Sequence, residues 1–315
     1  MSGSQPSARR QVVRIIVVHG RGSKPSYRCK LGYVREVLTE SVRRVAPSAG
    51  RWLARHPQAI QLAYYADLIR NLTQEPIEAC ANFREPIDRL YHESRSCPTW
   101  LTFRGLMLDL GADATVLMER WFQRSTRKRL LATQLRDVMR YFRDHAFASS
   151  IRQRLQRLLV PALRRRERVL LLAHSLGSVI AYDVLWKLSH MSEYAAVRHR
   201  KVECFMTMGS PLGDKVLKTH LLGWRYPTPQ RYPMNIRRWA NFSARGDVVC
   251  HDKRLADDFW PMLRAGDVER LEEYPNLCTV YRSRDGEWNP HKLYGYLILP
   301  ELGRLVAAAI QGAGS

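Results

Sequence analysis

Acidic residues are scarce in this 315-residue chain: 29 aspartates and glutamates face 51 lysines and arginines, for a net charge of +22. Only nine of the basic residues are lysines, so the surplus is almost wholly arginine. No stretch of 18 residues is free of charge. The most apolar candidate, residues 100–122, carries Arg104, Asp109, Asp113, Glu119 and Arg120, which excludes a membrane-spanning helix there. The six cysteines form no Cys-x-x-Cys pair and show no metal-ligand spacing with histidine, so nothing in their pattern calls for a metal or for disulfides. There is no third glycine at dinucleotide-binding spacing and no Gly-Lys-Ser/Thr, which disfavours nucleotide binding. Internal repeats and low-complexity linkers are missing too. Residues 1–11 read as a flexible polar tail without the apolar region of a signal peptide, and a reduced cytoplasmic setting is the expectation.

What remains is an ordinary globular balance, 45% hydrophobic and 25% charged, able to bury a sizeable core. Residues 12–18 (VVRIIVV) form a nearly continuous β-branched run, the signature of a strand buried on both faces. Similar runs at 59–65, 168–173, 202–208, 238–243 and 277–282 read as strands. Helical periodicity marks 33–45 and 176–188, and a closing helix is expected over 290–311. Alternating strands and helices predict an α/β fold with a mostly parallel sheet flanked by helices. Residues 12–315 read as one domain, with a helical, arginine-rich insertion at about 76–163 expected as a cap.

The strongest chemical signal is Ala173-His174-Ser175-Leu176-Gly177, a hydrophobic strand ending in a serine between small residues and followed by an amphipathic helix. A serine hydroxyl is a weak nucleophile, and a sharp strand-to-helix turn holds it exposed while the helix N-terminus supplies partial positive charge beside it. An activated serine also needs a base to take its proton and an acid to orient that base, and the chain offers candidates for both downstream. Asp247 follows a strand in a turn led by Gly246, with Asp252, Asp267 and Asp285 as rivals. His291 follows the last expected strand, 277–282, with His251 as its competitor. Val18-His19-Gly20-Arg21-Gly22 after the first strand lets backbone amides come close to a bound group. The element Gly209-Ser210-Pro211 is similar to Gly-Ser-Pro elements of lipases, which implies that it packs against the serine turn. The aromatic and proline-rich loop at 224–233 reads either as a channel lining or as a stiffened surface loop.

The segment from His174 to Asp183 resembles the nucleophile elbow of the α/β-hydrolase superfamily, in particular lipase-like members related to GPI-inositol deacylases and DDHD phospholipases. The chain departs from them in having Ala173 where the family usually has glycine. The resemblance implies a serine esterase or lipase with a Ser175–Asp247–His291 triad, an oxyanion hole of backbone N–H groups at Gly20 or Arg21 and at Leu176, and no metal or organic cofactor. Its substrate would be a small-molecule or lipid ester. Two alternatives remain open at this point: an acyltransferase on the same triad, and a catalytically silent protein whose basic surface binds anionic lipid or nucleic acid. Arginines between Arg120 and Arg168, among them Arg164, Arg165 and Arg166, would then support peripheral contact with an anionic membrane. No nucleic-acid motif accompanies them. Oligomeric state has no signature in the sequence.

Overall fold

The computed structural model describes residues 11–21, 24–73, 80, 86–97, 138–250, 254–282 and 288–312. Six parallel strands form one sheet in the order β2-β1-β3-β4-β5-β6: β1 Val13–Val18, β2 Ile60–Ala63, β3 Arg168–His174, β4 Val202–Met208, β5 Ile236–Ala244 and β6 Arg270–Leu277. The α/β class and the parallel sheet agree with the sequence.

The apolar runs explain the layering. Along β1, Val13, Ile15 and Val17 enter one hydrophobic cluster while Ile16 and Val18 enter another, and β3 divides Leu170 and Leu172 from Val169, Leu171 and Ala173 in the same way. A strand with side chains alternating between two buried faces is apolar along nearly its whole length, here apart from Arg14 in β1 and the two ends of β3, Arg168 and His174. The first cluster is closed by helices α1 Tyr27–Val45, α2 Pro47–Arg55, α4 Ile87–Arg95, α8 Leu293–Leu297 and α9 Pro300–Gln311. The second is closed by α5 His145–Arg164, α6 Leu176–His190 and α7 Leu255–Arg264, with Ile69 of α3 Ala66–Thr73 at its edge. Helix α1 buries Tyr33, Val34, Val37, Leu38 and Val42, a stripe at helical spacing, and Ser26 caps its start by accepting from the Cys29 N–H.

Some expectations are corrected, and others fall on residues outside those described. The sixth strand is Arg270–Leu277, not 277–282. As an edge strand with the sequence RLEEYPNL it is polar and carries Pro275, which an edge tolerates, so hydrophobicity did not reveal it. Residues 277–282 are apolar because Val280 and Tyr281 pack in the core. The closing helix is broken in two at Leu299, and Pro300, which lacks an N–H, starts the second part. Of the expected cap, α4 and α5 pack on the core. Residues Ala148, Ile151, Leu155, Leu159 and Leu163 of α5 lie against the sheet, and most of the rest falls outside the described residues. The 1–11 tail also lies almost wholly outside them. Finally, Cys29 pairs with Cys80 and Cys97 with Cys278, at Cα separations of 6.0 and 5.6 Å. The partners are 51 and 181 residues apart in the chain, so local spacing carries no sign of them.

Candidate active site

In an open parallel sheet, loops leaving the carboxyl ends of two adjacent strands diverge where the strand order changes direction, and a crevice opens there. Here β1 leads outward to β2 on one side, while β3 begins the march to β6 on the other. The switch point therefore lies between the ends of β1 and β3. Those ends carry the two motifs singled out in the sequence: His19-Gly20-Arg21 and Ser175.

Ser175 joins β3 to α6 with φ 54° and ψ −130°, a left-handed conformation that a non-glycine residue holds only under strain. The strain is held by neighbours. The Ser175 N–H donates to the Met208 carbonyl at 3.0 Å, and its own carbonyl accepts from Ser178 Oγ at 2.6 Å. Ser178 Oγ in turn lies 2.7 Å from Ser210 Oγ, so the Gly-Ser-Pro element packs on the turn as expected. Gly177 lets α6 approach β1; a Cβ there would stand 2.6 Å from the His19 carbonyl oxygen. Gly20 lies directly against the serine, with 2.7 Å between an ideal Cβ and Ser175 Cβ. His19, buried and stacked on Tyr65, shapes this loop. Its Nδ1 lies 2.6 Å from the Gly20 carbonyl oxygen and its Nε2 accepts from the Tyr65 N–H at 3.2 Å. Only a neutral ring can do both, and burial, with the nearby Lys30 and Lys24, holds the His19 pKa well below its ordinary value.

The structure brings His291 and Asp247 to the same point. His291 Nε2 is 2.8 Å from Ser175 Oγ, and Nδ1 is 3.0 and 2.9 Å from the two carboxylate oxygens of Asp247. Asp247 lies 1% exposed after β5. Burial alone would raise its pKa, but the facing His291, the Tyr296 hydroxyl and the Val249 N–H outweigh it and hold the carboxyl below the ordinary value. Tyr296 of α8 is the member that sequence reasoning missed as a functional group. Its hydroxyl donates to Asp247 Oδ2 at 2.6 Å and accepts from the Ala244 N–H at 3.0 Å. Gly209, at φ 53°, makes room for the pair: a Cβ there would meet Asp247 Oδ2 at 2.7 Å and His291 Nδ1 at 3.0 Å.

Of the rivals, only Asp267 lies among the described residues. Asp267 precedes β6, at the opposite end of the sheet, and its backbone carbonyl accepts from Lys201 Nζ at 2.8 Å. Asp252, Asp285 and His251 lie outside the described residues. Leu176 is the first residue of α6, where backbone N–H groups have no partner within the helix, and Arg21 follows Gly20 at the mouth of the β1 loop. The 224–233 loop covers the far half of α6, where Tyr226 stacks on Trp186, about 16 Å along the helix from Ser175. It does not line the serine. Arg164, Arg165 and Arg166 precede β3, about 20 Å from Ser175 along that strand, and Arg165 pairs with Glu167 at 2.8 Å. Among the described residues no group of three or more His, Cys, Asp or Glu could hold a metal, and no helix is long and apolar enough to cross a membrane. Compared with family models, curated proteins and solved structures, the chain matches none.

Proposed function

We propose that this chain is a serine hydrolase of α/β-hydrolase architecture that cleaves carboxylic esters, in the manner of a lipase or esterase, through an acyl-enzyme. The observation that carries the reading is the continuous chain Ser175 Oγ–His291–Asp247, with links of 2.8 and 2.9 Å, seated on a strained serine at the switch point of the sheet.

Each residue has a role that follows from its bonds. Asp247 can only accept while ionised, so the proton of His291 sits on Nδ1 and Nε2 presents a lone pair to Ser175. As Oγ attacks the ester carbonyl carbon, its proton passes to Nε2, and Asp247 stabilises the imidazolium. The carbonyl oxygen gathers charge, which backbone N–H groups at Leu176 and at Gly20 or Arg21 would stabilise. Collapse of the tetrahedral species breaks the C–O bond, and the alcohol departs with the proton from Nε2. Water, deprotonated by the same nitrogen, then releases the acid and restores Ser175. Transfer of the acyl group to another alcohol uses the same first half, and product analysis with added alcohol separates the two outcomes.

A lipid-docking role for Arg164, Arg165 and Arg166 is not part of this proposal, because they stand at the opposite end of β3 from the serine. The two disulfides favour an oxidising compartment over the cytoplasmic setting read from the cysteine pattern. The test is hydrolysis of p-nitrophenyl esters by wild type and Ser175→Ala. The variant is expected to keep the fold and lose on the order of 10⁴–10⁶ in kcat; full activity in Ser175→Ala overturns the assignment.

A further inference from the structure

The residue before the candidate nucleophile is a histidine, His174, only 5% exposed. Its Nε2 lies 2.7 Å from the backbone carbonyl oxygen of His291. A carbonyl can only accept, so Nε2 carries the proton and donates. The ring stands 4.8 Å from that of His291 and 5.9 Å from that of Tyr296, centroid to centroid. Its other nitrogen, Nδ1, is buried without a hydrogen-bond partner and faces Gly20, where an ideal Cβ would come within 2.8 Å.

We infer that His174 is a positioning residue: its Nε2–H grips the His291 main chain and thereby fixes the base against both Ser175 and Asp247. The surrounding bonds show why a grip is needed. Around His291 the loop is held by Asn289 N–H to the Tyr281 carbonyl at 2.9 Å, by Thr279 Oγ1 to the Pro290 carbonyl at 2.9 Å, and by His291 N–H to its own Asn289 Oδ1 at 3.1 Å. None of these partners belongs to a strand of the sheet. His174 ends β3, the strand that delivers Ser175, so its bond ties the base loop to the nucleophile with one side chain. Burial, followed by the neighbouring His291 and then Lys24 and Lys30, disfavours the charged form of the ring, so the donor stays in its neutral, Nε2–H state. Gly20, packed on the other ring nitrogen, brings the β1 loop into the same contact.

The catalytic consequence rests on the hydrolase reading; the grip itself does not. The experiment compares His174→Leu, His174→Asn and His174→Gln. A glutamine amide nitrogen can reach the position of Nε2, while asparagine is polar but too short and leucine cannot donate. Two readouts are taken on each folded protein: the rate of covalent labelling by a fluorophosphonate, and the downfield proton resonance of His291 Nδ1–H bonded to Asp247. Displacing a reacting group by about 1 Å slows a reaction by about 10²-fold. His174→Leu and His174→Asn are accordingly expected to slow labelling by about 10–100-fold and to broaden or shift the His291 resonance, with His174→Gln recovering most of both. A folded His174→Leu protein with an unchanged resonance overturns the grip, as does a His174→Gln protein as impaired as His174→Leu. A wild type that shows the resonance but never labels overturns the hydrolase reading and leaves the grip standing on the resonance comparison.

Discussion

Tyr296→Phe removes one oxygen atom from the interior and leaves the ring volume in place. That oxygen makes two strong hydrogen bonds, at 2.6 Å to Asp247 Oδ2 and 3.0 Å from the Ala244 N–H, besides a weak contact with Cys250 Sγ at 3.8 Å, and the residue is fully buried. A hydrogen bond to a charged group contributes about 1.5–3 kcal/mol, and a buried N–H left without its acceptor costs about 1–3 kcal/mol. The two losses share an atom and do not simply add, so the expected destabilisation is about 2–4 kcal/mol at neutral pH. The sign with pH follows from Asp247. Its folded pKa lies below the ordinary value, so its ionised form stabilises the fold above the unfolded pKa, and that stability is lost as pH falls through the folded value. Without the Tyr296 donor the folded pKa rises, the variant loses less in acid, and the gap between the two proteins narrows there. Urea unfolding of both proteins at pH 7 and through the carboxylate range measures it. With Asp247 less firmly held, kcat should fall while KM stays put. A stability difference under about 0.5 kcal/mol at pH 7, the range of an ordinary surface substitution, would refute the assignment of Tyr296 as the anchor of the acid.

Gly20→Ala would push a methyl to 2.7 Å from Ser175 Cβ and 2.8 Å from His174 Nδ1, both firmly packed, so kcat should drop by about 10²-fold. Gly32→Ala, with open space around it on α1, is the control and should leave kcat unchanged; equal kcat in the two variants would refute the packing argument. Asp183, buried and receiving bonds from Tyr141 Oη and the Leu222 N–H at 2.8 and 2.9 Å, has its pKa raised to about 6 by burial. A carboxyl raised in the folded state stabilises below its unfolded pKa and loses that contribution as pH climbs through about 6. Wild type should therefore lose about 2 kcal/mol relative to Asp183→Asn between pH 4 and 7, and parallel stability curves would contradict this.

The interior strands were legible because burial on both faces calls for apolar residues at most positions: β1 is apolar apart from Arg14, and β4 apart from Glu203 and Thr207. The edge strand β6 escaped the same logic, since one exposed flank allows Glu272, Glu273 and Pro275. The three residues that meet at the candidate site, Ser175, Asp247 and His291, were singled out from order and context: a serine after a strand, an acid after a later strand, a histidine near the end. His291 was found from a misplaced strand, yet its location beyond the sheet's last strand still brings it over Ser175. What could not be read is the switch point, which exists only once strand order is known, and the work of Tyr296 and His174. Their partners lie 49 and 117 residues away, and their bonds are set by side-chain direction and not by spacing. The disulfides were invisible for the same reason.

The central claim is that Ser175 is an activated nucleophile. Treating the intact protein with a fluorophosphonate and mapping the adduct by mass spectrometry tests it most directly. The account predicts one stoichiometric adduct on Ser175, absent from Ser175→Ala and slowed by orders of magnitude in His291→Ala. No adduct on the folded wild type, or the same adduct forming at the same rate in Ser175→Ala, would contradict it.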